Sequence, residues 1–190
     1  VRCDEYGNPV SSMDNRSEEK IQKSSDLDGA GTDCTNIDCG VAVTVHTSCN
    51  PFISTTQVVP ECLTLGMGCR KDKDARGIAE AAQKVLDRFG FYKEAFEQIA
   101  SIDLKKEEKG ILSLSQDWQI PFVTYTEEEL KQVPGEFTPS PFVKKITGVD
   151  NVCERSAVLA SGNGRLLQRK TGENGVTTAV AAREWRIHFE

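Results

Sequence analysis

The sequence predicts an α/β fold: a three-layer α/β/α domain whose mostly parallel sheet ends in a C-terminal antiparallel hairpin. Three observations carry this reading. From Pro60 onward, short apolar or β-branched runs alternate with amphipathic stretches, as in strands linked by crossover helices. Apolar residues at 75, 78, 79, 82, 85, 86 and 89 form one face of a helix with a 3.6-residue period. Two late strand-like runs flank Gly172-Glu173-Asn174-Gly175, whose residue types suit a hairpin turn.

The elements follow in order. Residues 1–40 are polar, and the run from Ser24 to Asp33 carries too little apolar surface to offset its ordering entropy, so it reads as a loop or linker. Val41 to Val45 is β-branched and predicts a strand, the end of a module that begins upstream. Thr47 to Pro60 reads as a connection. We therefore divide the chain into 1–56, a linker with the remnant of an upstream module, and 57–190, the main domain.

Cys62 to Gly66 predicts a buried strand followed by a glycine loop. A helix over 74–89 follows, capped by Asp72 or Asp74 and stopped at Gly90. A short helix over Tyr92–Gln98 and a strand over Ile99–Ile102 come next. Glu108–Trp118 predicts a helix and Ile120–Tyr125 a strand. Thr126 begins a helix to Gln132 with Glu129 at the capping-box position. Phe142–Thr147 and Glu154–Leu159 predict short helices, and Gly164–Arg169 and Val176–Ala181 the hairpin strands.

The bulk composition excludes several classes. At 190 residues, 38% hydrophobic and 27% charged, the chain suits a soluble protein of one ordinary domain plus an appendage, or of two small domains. No window approaches the roughly 18 apolar residues a membrane helix needs. The polar opening VRCDEYGNPV is no secretory leader and reads as the start of a piece cut from a longer chain. A net charge of −6 argues against nucleic-acid binding. The seven cysteines are odd in number, irregularly spaced and free of CxxC pairs, which reads as reduced cytosolic thiols and a cytoplasmic protein. A zinc site from Cys34, Cys39, Cys49 and His46 is the second reading, although its spacing matches no known knuckle.

Three segments could carry chemistry. In Leu65-Gly66-Met67-Gly68-Cys69-Arg70-Lys71 a strand gives way to glycines and then a helix. The reading is an anion-binding loop, with Arg70 and Lys71 supplying charge; the plain alternative is a tight turn. In Ser101-Ile102-Asp103-Leu104-Lys105 the acid sits just past a strand end, either as a ligand contact and general base or as a helix cap. The block Thr138-Pro139-Ser140-Pro141-Phe142, continuing through Asn151 to Glu154, is dense in hydroxyls and turn residues. Thr138 or Ser140 could cap a helix opened by Pro141, and Glu154 could be a general acid or base, or simply favour a helix dipole. His46 and His188 read as structural or solvated. The Lys144-Lys145 pair and the lysines at 105, 106 and 109 read as solvated faces.

The runs CLTLGMGCRKD, IASIDLKKEEKGILSL, TPSPFVKKITGVDNVCERSAVLASG and GVTTAVAAREWRI occur in this order. Together they resemble the C-terminal domain shared by the CbiG and CobE proteins of cobalamin biosynthesis, over residues 57 to 187. Residues 1–56 favour the CbiG form. The resemblance implies part of a cobalt-precorrin-5A hydrolase, an enzyme that opens a δ-lactone on the macrocycle and releases acetaldehyde to leave cobalt-precorrin-5B; it leaves open whether this piece is active alone. The alternative is a non-catalytic corrinoid carrier, as a stand-alone CobE-like protein would be. The implied ligand is the cobalt-precorrin macrocycle, with other cobalamin-pathway enzymes as further partners and neither nucleic acid nor membrane. No cofactor of the protein's own is implied, because the cobalt travels with the substrate.

The catalytic candidates, read from residue type and position, are Asp103 and Glu154; the resemblance itself assigns neither role. The substrate-binding candidates are Gly66, Gly68, Cys69, Arg70, Lys71, Ser101, Lys105, Thr138, Ser140 and Asn151, with no metal ligand. One departure stands out. Lys71-Asp72-Lys73-Asp74 opens the helix after the glycines where relatives often carry small or hydroxyl residues, which weakens the case for a hydroxyl binding an anion there.

Overall fold

A computed structural model describes residues 2–3, 9–10 and 39–185. A small sheet opens the chain in the order β2-β1-β3-β4. β1 (Arg2–Cys3) pairs antiparallel with β2 (Pro9–Val10) and parallel with β3 (Cys39–Val43), which pairs parallel with β4 (Ser54–Val58). The strand expected at 41–45 is present two residues early. The segment 47–60, read as a connection, contains β4. Ser54-Thr55-Thr56-Gln57-Val58 lacks apolar alternation, and pairing with β3 supplies the order its pattern does not advertise. The Ser24–Asp33 run and Cys34 lie outside the described residues.

Cys49 is disulfide-bonded, which corrects the reduced-thiol reading at this position. The His46 ring packs on Phe91 at 4.9 Å, with Nδ1 3.1 Å from the Phe89 carbonyl oxygen. No group of three or more metal-ligating side chains forms among the described residues.

The main sheet has five strands: β5 (Leu63–Cys69), β6 (Phe96–Ile102), β7 (Phe122–Tyr125), β8 (Arg165–Glu173) and β9 (Val176–Ala182). Their order is β7-β6-β5-β9-β8. β5, β6 and β7 are parallel. β9 lies antiparallel to β5, and β8 antiparallel to β9, so the hairpin extends the sheet on one side and leaves β5 central. At the hairpin turn Asn174 and Gly175 both have positive φ, 49° and 81°, as a two-residue turn of matching twist needs.

Helices cover both faces. α1 (Ala75–Phe89) and α2 (Lys109–Trp118) lie on one side, where Ile78, Ala82, Val85, Ile111 and Leu114 pack on Leu63, Leu65, Met67, Ile99 and Val180. α5 (Cys153–Ala160) lies on the other side, facing Gly66, with α3 (Glu127–Gln132) and α4 (Pro141–Thr147) beyond it. Strand alternation explains the split: odd residues of β5 face α1 and α2, and even ones face α5.

Two sequence readings need correcting. Tyr92–Gln98 is not a helix: only Lys93–Ala95 forms a 3₁₀ turn, and β6 starts at Phe96. Pairing of Phe96 with Leu63 and the edge-on contact of its ring with Phe91 at 6.1 Å outweigh the local pattern. Gly66 and Gly68 do not form a turn either, because β5 runs unbroken through both to Cys69. Asp74, not Asp72, caps α1 by accepting from the Gly77 N–H at 2.7 Å. The stop at Gly90, with φ 63°, and the capping box of Thr126 with Glu129 are both present.

Candidate functional site

Parallel strands in α/β folds present ligands at their C-terminal edge, where crossover helices also turn their N-termini. Here that edge is made by Cys69 at the end of β5, Asp103 to Lys105 after β6, and Thr126 after β7. The loop through 133–152 and the N-terminus of α5 reach it as well, since Val152 approaches Gly68.

The predicted residues fall into two groups on opposite faces of the sheet. On the α1 and α2 side, Lys105 forms an ion pair with Glu108 at 2.9 Å, with only 15% and 7% of the two side chains exposed. The other Glu108 oxygen accepts from the Lys73 backbone N–H at 3.1 Å. The half-buried Cys69 thiol lies within the electrostatic influence of the Lys105–Glu108 pair. Burial pushes that thiol up to about 11, the neighbouring Lys105 pulls it down and Glu108 pushes it up again. Cys69 is thus a neutral thiol near pH 7 and a weak nucleophile. Asp103 opens the 3₁₀ turn beside this group, half-exposed. Glu108 was read only as a helix start; its spacing of three residues from Lys105 was the available signal.

On the α5 side, Thr138, Asn151 and Glu154 are knitted together. The Glu154 side chain is fully buried. One of its oxygens accepts from the Thr138 N–H at 2.8 Å; the other accepts from the Thr138 hydroxyl at 2.8 Å and the Lys170 N–H at 2.6 Å. Asn151 donates to the Thr138 carbonyl at 2.9 Å and accepts from the Glu154 N–H at 2.9 Å, capping α5. These bonds tie the 133–140 loop and β8 to the helix. They hold the Glu154 carboxylate out of contact with solvent.

The remaining candidates are dispersed. Ser101 is buried and donates to the Met67 carbonyl at 2.7 Å, a tie between β5 and β6. Gly66 faces α5, and Gly68 lies against the side chain of Thr177, its partner on the neighbouring strand β9. Arg70 is exposed: its N–H donates to the Gly175 carbonyl at 3.0 Å, and its side chain lies along the hairpin turn. Lys71 is exposed in the turn before α1. Ser140 precedes α4 without capping it through its side chain, and Pro141 takes the first turn as expected. A cleft of about 370 Å³ between α1 and the hairpin, crossed by the Lys84–Glu173 ion pair, is lined by none of the sequence-predicted residues.

Comparison with known proteins gives a consistent picture. A family model described as "Cobalamin synthesis G C-terminus" matches residues 63–181. A cobalt-precorrin-5A hydrolase of Salmonella typhimurium is 35% identical over 124 residues, covering 65% of this chain and 35% of that protein. One from Priestia megaterium is 34% identical over 122 residues, covering 64% of this chain and 32% of that protein. The chain thus spans about a third of the length of these relatives. The crystal structure of CobE, a protein of the cobalamin (vitamin B12) biosynthetic pathway, superposes with a TM-score of 0.59 at 29% identity, covering 65% of this chain and 91% of that one.

Proposed function

Because the chain belongs to the cobalamin synthesis G C-terminus family, we propose that it is part of a cobalt-precorrin-5A hydrolase and that the C-terminal edge of its main sheet holds the substrate. In this reading the reaction opens the δ-lactone and releases acetaldehyde, and the cobalt arrives within the macrocycle. The observation that carries the placement is Asp103, a half-exposed acid, beside Lys105, an ammonium fixed by Glu108 at 2.9 Å. A pre-set cation suits a substrate carboxylate, and an accessible acid can take up a proton from attacking water. Of the two acids, Asp103 is the candidate base, since the Glu154 oxygens are occupied by three donors. Lys105 is the candidate carboxylate contact, with Arg70 and Lys71 further along the same edge.

A non-catalytic corrinoid-binding role is the second reading. Its support is that the matched region accounts for nearly all of the CobE chain. Anaerobic titration of the chain with cobalt-precorrin-5A, followed by the visible spectrum and product mass, tests both. A spectral shift with loss of a two-carbon unit is expected, abolished by Asp103→Asn with binding intact. A shift without product would support the binding role. The absence of any shift would overturn the placement.

A further inference from the structure

We infer that the outer face of α4, with Leu104 beside it, is the platform on which the flat face of a tetrapyrrole ring rests. This inference rests on the substrate reading above and names the surface of that site which holds the ring.

Apolar exposure in the main domain is concentrated at the C-terminal edge. Phe142 is 70%, Leu104 64% and Ile146 60% exposed, whereas the other large exposed apolar side chains among the described residues of this domain, Val58 and Leu112, are 47% and 38% exposed. Phe142 and Ile146 are four residues apart on α4 and share one face. The adjoining side of the helix docks through Val143 into the cluster of Ile102, Leu130, Val149 and Val152. Leu104 follows Ile102 by two residues, so all three exposed side chains rise from the same small core at the ends of β6 and β7.

Lysines rim this apolar surface. Lys145, three residues after Phe142, flanks the face and is exposed, Lys106 is exposed after β6, and Lys105 is held at the edge by Glu108. In a chain of net charge −6, exposed lysines beside an apolar face are a complement to an anionic, partly apolar ligand. It matches a ligand with an apolar ring and a periphery of acetate and propionate groups. Aromatic and branched side chains cover the ring, and lysines reach the carboxylates without desolvating their own charge fully.

The test uses the full 190-residue chain and two stable cobalt corrins with the same ring. Cobyrinic acid carries free carboxylates, and cobinamide carries amides. The chain should bind cobyrinic acid more tightly. The Phe142→Ala and Ile146→Ala double variant should weaken both ligands about tenfold, as expected for lost apolar contact. The Lys106→Ala and Lys145→Ala double variant should weaken only cobyrinic acid. All four positions are exposed, so an unchanged unfolding transition is the control for folding.

If the parent chain binds but the α4 variants bind equally well, the ring lies elsewhere; this inference fails and the proposed function stands. If the parent chain binds neither corrin, both fail together. A light-scattering mass showing a dimer that the Phe142 and Ile146 changes dissolve would assign the patch to self-association and overturn the inference.

Discussion

Glu154 shows how burial changes what an acid can do. Its residue type and its place at the start of α5 admit two readings, a proton-transfer group or a helix-dipole partner. The structure surrounds it with three donors and removes it from solvent, so its work is to join the 133–140 loop and β8 to α5. Glu154→Gln would turn an amide group toward a backbone N–H whichever way it is placed. Charged hydrogen bonds of this kind contribute about 1.5–3 kcal/mol each, so the variant should lose about 2–3 kcal/mol of stability. Urea unfolding measures this, and an unchanged midpoint would show that the three bonds do not hold the fold. Asp103 differs because it sits half-exposed at a strand end, where an acid remains available to a ligand.

At the scale of elements, caps are set locally and respond to pH locally. The Asp74 carboxyl is held below its usual value of 3.8 by hydrogen bonding from Lys73 and from the Gly77 N–H. The Glu129 carboxyl is held below 4.5 by the Thr126 N–H and hydroxyl. A depressed carboxylate stabilises the folded state above its unfolded value, and that contribution disappears as pH falls through the folded value. The N-termini of α1 and α3 should therefore weaken progressively as the pH drops below about 4.5. An Asp74→Asn and Glu129→Gln double variant should show a shallower loss of stability between about pH 5 and pH 3 in urea titrations. An identical pH slope in both proteins would show that these caps do not contribute to acid sensitivity.

The whole molecule depends on a side chain that is absent. Gly66 lies in the central strand, and a Cβ there would sit 1.9 Å from the Cys153 carbonyl oxygen and 2.8 Å from the Ala157 Cβ. The third layer can close on the sheet only because that position is bare. Gly66→Ala must push α5 away from β5, and because the obstruction is backbone it should cost about 3 kcal/mol. Loss of cooperative thermal unfolding, or a midpoint far below the parent's, is the expected result. A variant that unfolds like the parent would mean that α5 can shift at no cost. The glycine first read as part of an anion loop is needed for layer packing.

The sequence alone determined the elements whose signals are local: the amphipathic stripe of α1, the cap at Thr126, the stop at Gly90 and the hairpin turn within Gly172–Gly175. Each depends on residues within a few positions of one another, so the pattern and its cause coincide. Its family-defining runs also led to the relatives and the fold class. Only the tertiary structure decided that β6 starts at Phe96, that β5 continues through Gly66 and Gly68, and that β4 exists, because each is imposed by a partner strand distant in sequence. The same holds for the candidate site. Lys105 and the Lys73 backbone meet Glu108, while Glu154 is locked to Thr138 and Lys170, through contacts 3 to 35 residues apart that share no periodic signature. A side chain's type can be read from the chain, but its exposure and its hydrogen-bond partners are set by where the fold brings distant backbone.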